Sequence, residues 1–352
     1  MPFSPVEASA WADGAGLHFR FADAGHALAG VRLLQDVRIP AEQLEFGRTP
    51  AGWELDLTAP PVARLEYLLE LGYPDGGTKV STDPGNPRQA PGAFGPKSVL
   101  ELPGYAPPGW LSAPAGRGGS QSFELPVLDD VMSVRVWSPG GAQAADRLPL
   151  LVVHDGPEYD SLASLTRYLG AGIQGGWLPP LRAALLSPGP RNSWYSANAR
   201  YARALRQSVL AVLTDRLTVS RRIGMGTSLG ALAMLHAYCR YPDSFDALFL
   251  QSGSFFTPAL DSQERRFPHY RRIIGFTADV HGGGLPARPV RVVLTCGAAE
   301  ENAANNRLMA QTLRAHDYPA DVHEVADMHN YTAWRDAFDP HLTRLLQLAG
   351  DS

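Results

Sequence analysis

The chain has 352 residues, 45% of them hydrophobic, and a net charge of −4. That length suggests two domains with material for a sizeable core, and the slightly acidic balance carries no electrostatic footprint for nucleic acid or an anionic membrane. The two cysteines, Cys239 and Cys296, make no metal or redox spacing, and no apolar run reaches the roughly 18 residues of a membrane helix.

Met1-Pro-Phe-Ser-Pro5 has no basic start and no apolar run after it, so no signal peptide is expected and a soluble cytoplasmic protein follows. Residues 1–112 read as all-β. Leu17-His-Phe-Arg-Phe, Val31-Arg-Leu-Leu and Trp53-Glu-Leu-Asp-Leu alternate in polarity, and a strand from Arg64 ends in a Pro-Asp-Gly-Gly turn. A small β-sandwich is expected there, then a Gly-rich linker over 113–120.

The pattern changes over 121–352. Strands are expected at Ser122–Val127, Val131–Trp137, Leu148–His154, Leu181–Leu186, up to Met225, Asp246–Gln251, Val290–Thr295 and Ala320–Val325. Helices are expected at Ser161–Leu169, Asn198–Leu213, Leu229–Arg240, Asn302–His316 and Tyr331–Leu348, with a helical piece near 261–273. Strands and helices that alternate in this way make a doubly wound, mostly parallel α/β sheet.

The organising stretch is Gly226-Thr-Ser228-Leu-Gly230, between a strand and a helix. A serine on so sharp a turn has a strained backbone, and glycine two residues to either side removes Cβ atoms that would crowd it. Its hydroxyl then stands at a helix N-terminus, where backbone N–H groups favour an oxyanion. This is the nucleophile-elbow pattern, and it asks for an acid and then a histidine after later strands. Cys296-Gly-Ala-Ala-Glu300-Glu301-Asn302 follows the strand ending at Thr295, so Glu300 is the first choice for the acid and Glu301 the second. Two acids before a helix also serve as ordinary N-terminal charges. His329, after the last strand, is the base, and Asp327 is a weaker rival for the acid. His329 would take the Ser228 proton and return it to the leaving group, while Glu300 orients the ring. The Leu229 N–H is one expected oxyanion donor, and the second should come from the turn after Val153. Such a relay needs no metal and no organic cofactor.

These motifs, with His154-Asp-Gly-Pro-Glu-Tyr159, Gly297-Ala-Ala-Glu300 and His329-Asn-Tyr-Thr-Ala-Trp-Arg335, resemble the esterase D and enterochelin-esterase-like branch of the α/β-hydrolases. The front of the chain, with Asp83-Pro-Gly-Asn-Pro87, resembles the Ig-like N-terminal domain of enterochelin esterases. The resemblance implies an α/β-hydrolase fold with an Ig-like sandwich before it. It also implies a serine carboxylesterase that works through an acyl-enzyme on a small-molecule ester of the ferric catecholate siderophore type. One residue departs from the pattern: Pro157 has no N–H where the second oxyanion donor is expected, which leaves Glu158 or Tyr159. Siderophore recognition asks for cations and aromatic faces, for which Arg191, Trp194, Tyr195, Trp334 and Arg335 are candidates. Acyl transfer of the mycolyltransferase-like type and an inactive glycan-binding or scaffold role are the alternatives. Nothing in the sequence fixes the oligomeric state.

Overall fold

The computed structural model describes residues 9–350. By contact they form two compact units. The first comprises residues 9–106 with two later returns, Gly297–Glu300 and Ala326–Ala333. The second comprises Pro107–Cys296, Glu301–Val325 and residues 334–350.

The body of the first unit is two antiparallel sheets. One has strands in the order Ala10–Asp13, Gly16–Ala22, Gly52–Leu57, Gly47–Thr49. The other runs Gly30–Gln35, Arg64–Gly72, Lys97–Glu101, Gln89–Ala90, with Thr78–Ser81 also on Arg64–Gly72. The alternation in the sequence decides their faces. Leu17 and Phe19 from one sheet share a core with Val31, Leu33, Leu65, Tyr67, Leu69 and Leu71 from the other.

The second unit carries an eight-stranded sheet. Its strands are β1 (Gly118–Val127), β2 (Asp130–Pro139), β3 (Leu148–Val153), β4 (Arg182–Leu186), β5 (Val219–Thr227), β6 (Ala247–Gln251), β7 (Arg291–Gly297) and β8 (Ala320–Val325). Their spatial order is β1-β2-β4-β3-β5-β6-β7-β8. The β1–β2 and β2–β4 pairs are antiparallel, and β4–β3, β3–β5, β5–β6 and β6–β7 are parallel. The central strands are buried on both faces, which is why β3, β4 and β6 are almost wholly apolar, with Arg182 at the start of β4 and Gln251 at the end of β6.

Several boundaries differ from expectation, each for a local reason. Residues 118–120 are not linker but the start of β1, paired with Trp137–Pro139, and a Cβ on Gly118 would lie 2.5 Å from the Trp137 indole. Residues 107–111 group with the second unit because Trp110 packs on Tyr168 and Phe338. The helix expected over Ser161–Leu169 is two helices, α1 (Gly156–Ala163) and one over Leu165–Gln174, broken at Ser164 with φ 56°. The C-terminal helix also divides, into α4 (Tyr331–Asp336) and Thr343–Gly350, across a segment holding Pro340, which lacks a donor. The piece near 261–273 is a short 3-10 helix over Ser262–Arg266, and a longer helix follows at Tyr270–His281. The elbow helix α2 (Leu229–Arg240) and the helix α3 (Ala303–Ala315) lie where the periodicity puts them.

Candidate active site

Ser228 joins β5 to α2 with φ 55° and ψ −123°, a region that ordinary residues avoid. The strain is held from both sides. The Ser228 N–H donates to the Gln251 carbonyl at 2.9 Å, and its own carbonyl accepts from Ser254 N at 3.1 Å and from Leu232 N at 3.2 Å. Glycine is required at 226, where a Cβ would meet the Gly230 carbonyl carbon at 2.5 Å. At Gly230 the approach is looser, 3.2 Å to Asp155 Oδ2 and to His154 Cβ. The Ser228 hydroxyl is half-buried and lies 3.2 Å from the Ser254 hydroxyl. Leu229 is the first residue of α2, so its N–H precedes the i→i−4 ladder.

The turn after β3 holds the other expected oxyanion donors. Tyr159 is not one: its N–H donates to the Asp155 carbonyl at 2.9 Å, and its hydroxyl donates to Gln251 Oε1 at 2.8 Å. Glu158 stands in the first turn of α1, ahead of the helical ladder, and burial raises its carboxyl above the ordinary range. Asp155, left-handed at φ 50° and almost wholly buried, accepts two hydrogen bonds from Arg191, Nε to Oδ1 and Nη2 to Oδ2, each at 2.8 Å. This fork-on-fork pair was not apparent from sequence, because its partners are 36 residues apart.

The aromatic candidates are buried. Trp194 stacks on Tyr201, and Tyr195 on His154 with ring centroids 4.4 Å apart. Trp334 donates its indole N–H to the Ser252 hydroxyl at 2.9 Å. Their rings build the core instead of forming a ligand face, which corrects the expectation for residues 194, 195 and 334. Arg335 pairs with the adjacent Asp336 at 2.7 Å. Of the two arginines Arg191 is the more exposed, with its guanidinium 5.6 Å from the Tyr195 ring centre.

Two buried networks hold this end of the sheet. His154 donates from Nδ1 to the Gly230 carbonyl, so its Nε2 must accept from the Tyr201 hydroxyl at 2.8 Å. Burial pushes that imidazole down to about 4 and keeps it neutral. Gln251, at the end of β6, takes the Tyr159 hydroxyl on Oε1 and donates from Nε2 to Thr295 Oγ1 and the Trp334 carbonyl. These links tie the ends of β6 and β7 to α1 and α4.

Within the first unit, Glu300 and His329 come together. Glu300 Oε1 lies 3.6 Å from His329 Nδ1, an ion-pair separation longer than a hydrogen bond. The Glu300 side chain is fully buried and its other oxygen accepts the Gly297 N–H at 3.2 Å, whereas Glu301 is exposed. Asp327 faces elsewhere. Its Oδ1 accepts from Met328 N and Asn330 Nδ2, and its Oδ2 lies 3.4 Å from Arg64 Nη1.

Comparison with known proteins agrees with this frame. The family model Esterase, described as "Putative esterase", matches residues 126–345, more than half of the chain. Curated relatives include the iron(III) enterobactin esterases of Escherichia coli O6:H1, 29% identical over 72% of this chain and 64% of that protein, and of Escherichia coli K12, 29% identical over 61% and 54%. The chain thus spans between about half and two thirds of the length of these relatives. Among solved structures, the enterobactin esterase of Shigella flexneri, crystallised in the presence of enterobactin, superposes with a TM-score of 0.76 at 20% identity over 94% of this chain and 93% of that one. The ferric enterobactin esterase of Salmonella typhimurium gives 0.77 at 20% identity over 97% of each. These likenesses show a common α/β-hydrolase-like fold. By the family match, the chain belongs to the esterase family.

Proposed function

We propose that the chain is a serine esterase of the enterochelin-esterase type, with Ser228 as nucleophile, His329 as general base and Glu300 as the group that orients it. The observation that carries this reading is the strained Ser228 turn at the start of α2, supported by the buried Glu300 beside His329. The three residues follow β5, β7 and β8 in the chain order that the elbow pattern requires.

In this mechanism the Ser228 oxygen attacks the ester carbonyl as its proton passes to His329 Nε2. The carbonyl π-bond becomes an oxyanion, received by the N–H groups of Leu229 and Glu158. The tetrahedral species collapses and expels the alcohol, which takes the proton from His329 and leaves an acyl-enzyme. Water, deprotonated by His329, then repeats the sequence and releases the acid. Glu300 stabilises the imidazolium in both halves without itself becoming protonated.

The relatives suggest a catecholate siderophore ester as substrate, and Arg191 is the cation best placed by its exposure to meet an anionic ligand. The two-sheet body of the first unit is read as the Ig-like domain of that type. The test is hydrolysis of p-nitrophenyl butyrate and of ferric enterobactin by wild type, Ser228→Ala and His329→Ala. Wild type should turn over both esters and the variants neither. Equal rates from wild type and Ser228→Ala would refute the proposal.

A further inference from the structure

The mechanism above leaves one buried charge cluster unused. Arg64 opens the second strand of the five-stranded sheet, and its side chain is only 3% exposed. Its Nη1 lies 2.9 Å from Glu66 Oε1, 3.4 Å from Asp327 Oδ2 and 3.4 Å from Asn330 Oδ1. Glu66 and Asp327 are themselves buried. A buried cation with two carboxylates is a poor way to gain stability, since desolvation offsets most of the attraction. Such clusters rigidify the elements they join.

The tied element is the segment that carries His329. Asp327 and Asn330 stand on either side of the histidine and bond each other, Asn330 Nδ2 to Asp327 Oδ1 at 2.9 Å. Asn330 Oδ1 also accepts the Ala333 N–H at 2.8 Å, which caps α4. One guanidinium therefore reaches both flanks of residue 329. The backbone adds a second hold next door: Ala63 N donates to the Ala326 carbonyl at 2.6 Å. Gly297 also lies so close that a Cβ there would sit 2.4 Å from the Asp327 carbonyl oxygen. The His329 segment is thus gripped at Asp327 and Asn330 by Arg64, and backed by the strand that leads to Glu300. Burial pushes the Asp327 carboxyl up to about 6, and Arg64 pulls it down, so loss of the cation would change the charge beside the histidine as well as its anchorage.

We propose that Arg64 is a positioning residue for His329, holding the ring at the Glu300 carboxylate through Asp327 and Asn330. This rests on the esterase reading for its effect on rate but not for its effect on the ring. The experiment uses the full chain as wild type, Arg64→Met and Arg64→Lys. Three quantities are read: the melting temperature, kcat and KM on p-nitrophenyl butyrate, and the imidazole ¹⁵N–¹H correlations of His329, assigned by their loss in His329→Gln. Positioning predicts that folded Arg64→Met shifts or broadens the His329 signals and lowers kcat at least ten-fold with KM within two-fold. Arg64→Lys keeps the charge but not the position of the Nη1 nitrogen that makes all three contacts, and should fall between. Unchanged His329 signals and kcat in folded Arg64→Met would overturn the proposal. If that variant does not fold, the same two readouts on Arg64→Lys decide in the same sense. Wild type with no Ser228-dependent hydrolysis would sink the esterase reading, and the His329 signals alone would then support or overturn the role of Arg64.

Discussion

The hydroxyls of Ser228 and Ser254 lie 3.2 Å apart at the ends of neighbouring strands, in hydrogen-bond range. The register of the sheet produces this contact: Thr227 on β5 pairs with Gln251 on β6, and each chain then turns out of the sheet within a few residues. Ser254 is 2% exposed, so its hydroxyl has few alternatives to the Ser228 oxygen. It is placed to hold the Ser228 hydroxyl in one rotamer.

A first prediction follows from that contact. Ser254→Ala removes one neutral hydrogen bond, of net value about 1 kcal/mol. The expected result is a fall in kcat of roughly five-fold, with melting little changed. A kcat identical to wild type would mean that the contact has no part in the reaction.

The paired acids give a sharper contrast. Glu300→Gln keeps the shape of the side chain but loses the charge facing His329, and by analogy with triads in general should cost about 10²–10⁴ in kcat. Glu301→Gln alters an exposed group and should stay within about two-fold of wild type. Kinetics on the two variants side by side distinguish the assignments, and a larger loss from the Glu301 change would reverse them.

How much of this could be read in the chain depends on the range of the interaction. The elbow was legible because its geometry needs Gly226 and Gly230 within two residues of Ser228. The central strands of the second unit were legible because buried parallel strands are nearly continuous apolar runs, and β2 because its residues alternate between the two faces. Glu300 against Glu301 could not be decided, since adjacent acids differ only in which one the turn directs inward. Trp194, Tyr195 and Trp334 were misplaced because an aromatic ring after a strand reads the same whether it faces a ligand or the core. Ser254 had a usable signal, a position just past the strand beside the elbow. The anchoring of Asp327 by Arg64 had none, because it joins residues 263 apart in sequence.

Stability should fall on mild acidification. Burial pushes His154, His236 and His341 each down to about 4. A histidine with a folded value below its unfolded one binds fewer protons when folded, so stability drops as pH falls from about 6.5 towards 4. His154 alone contributes up to about 3 kcal/mol over that window. Protonation would break its acceptance of the Tyr201 hydroxyl, and it would set charge against charge where His323 stacks on His341 at 3.9 Å. Asp327, raised to about 6 by burial, works the other way over the same range, as do Glu158 and Glu264, also raised by burial, but each of the three imidazoles is displaced to about 4. The melting temperature should therefore be clearly lower at pH 5 than at pH 7, and equal values would contradict the account.

The Asp155–Arg191 pair makes the last prediction, for which a double-mutant cycle is the measurement. Asp155 is 2% exposed at its side chain and Arg191 32%, so the two partners have unequal stakes in the bridge. Arg191→Met strands a buried carboxylate beneath the turn that carries Glu158, and should cost about 3 kcal/mol of unfolding free energy. Asp155→Asn leaves a partly exposed cation that can turn to water, and should cost less. The double variant removes the stranded charge and should be no less stable than Arg191→Met alone, a non-additivity of about 1–3 kcal/mol. Because the same turn leads into α1 and meets Gly230 of the elbow, both single changes should also lower kcat more than they raise KM on the neutral ester p-nitrophenyl butyrate, which has no anion for Arg191 to meet. Simple additivity in the denaturation cycle would show that the buried carboxylate is stabilised by other means.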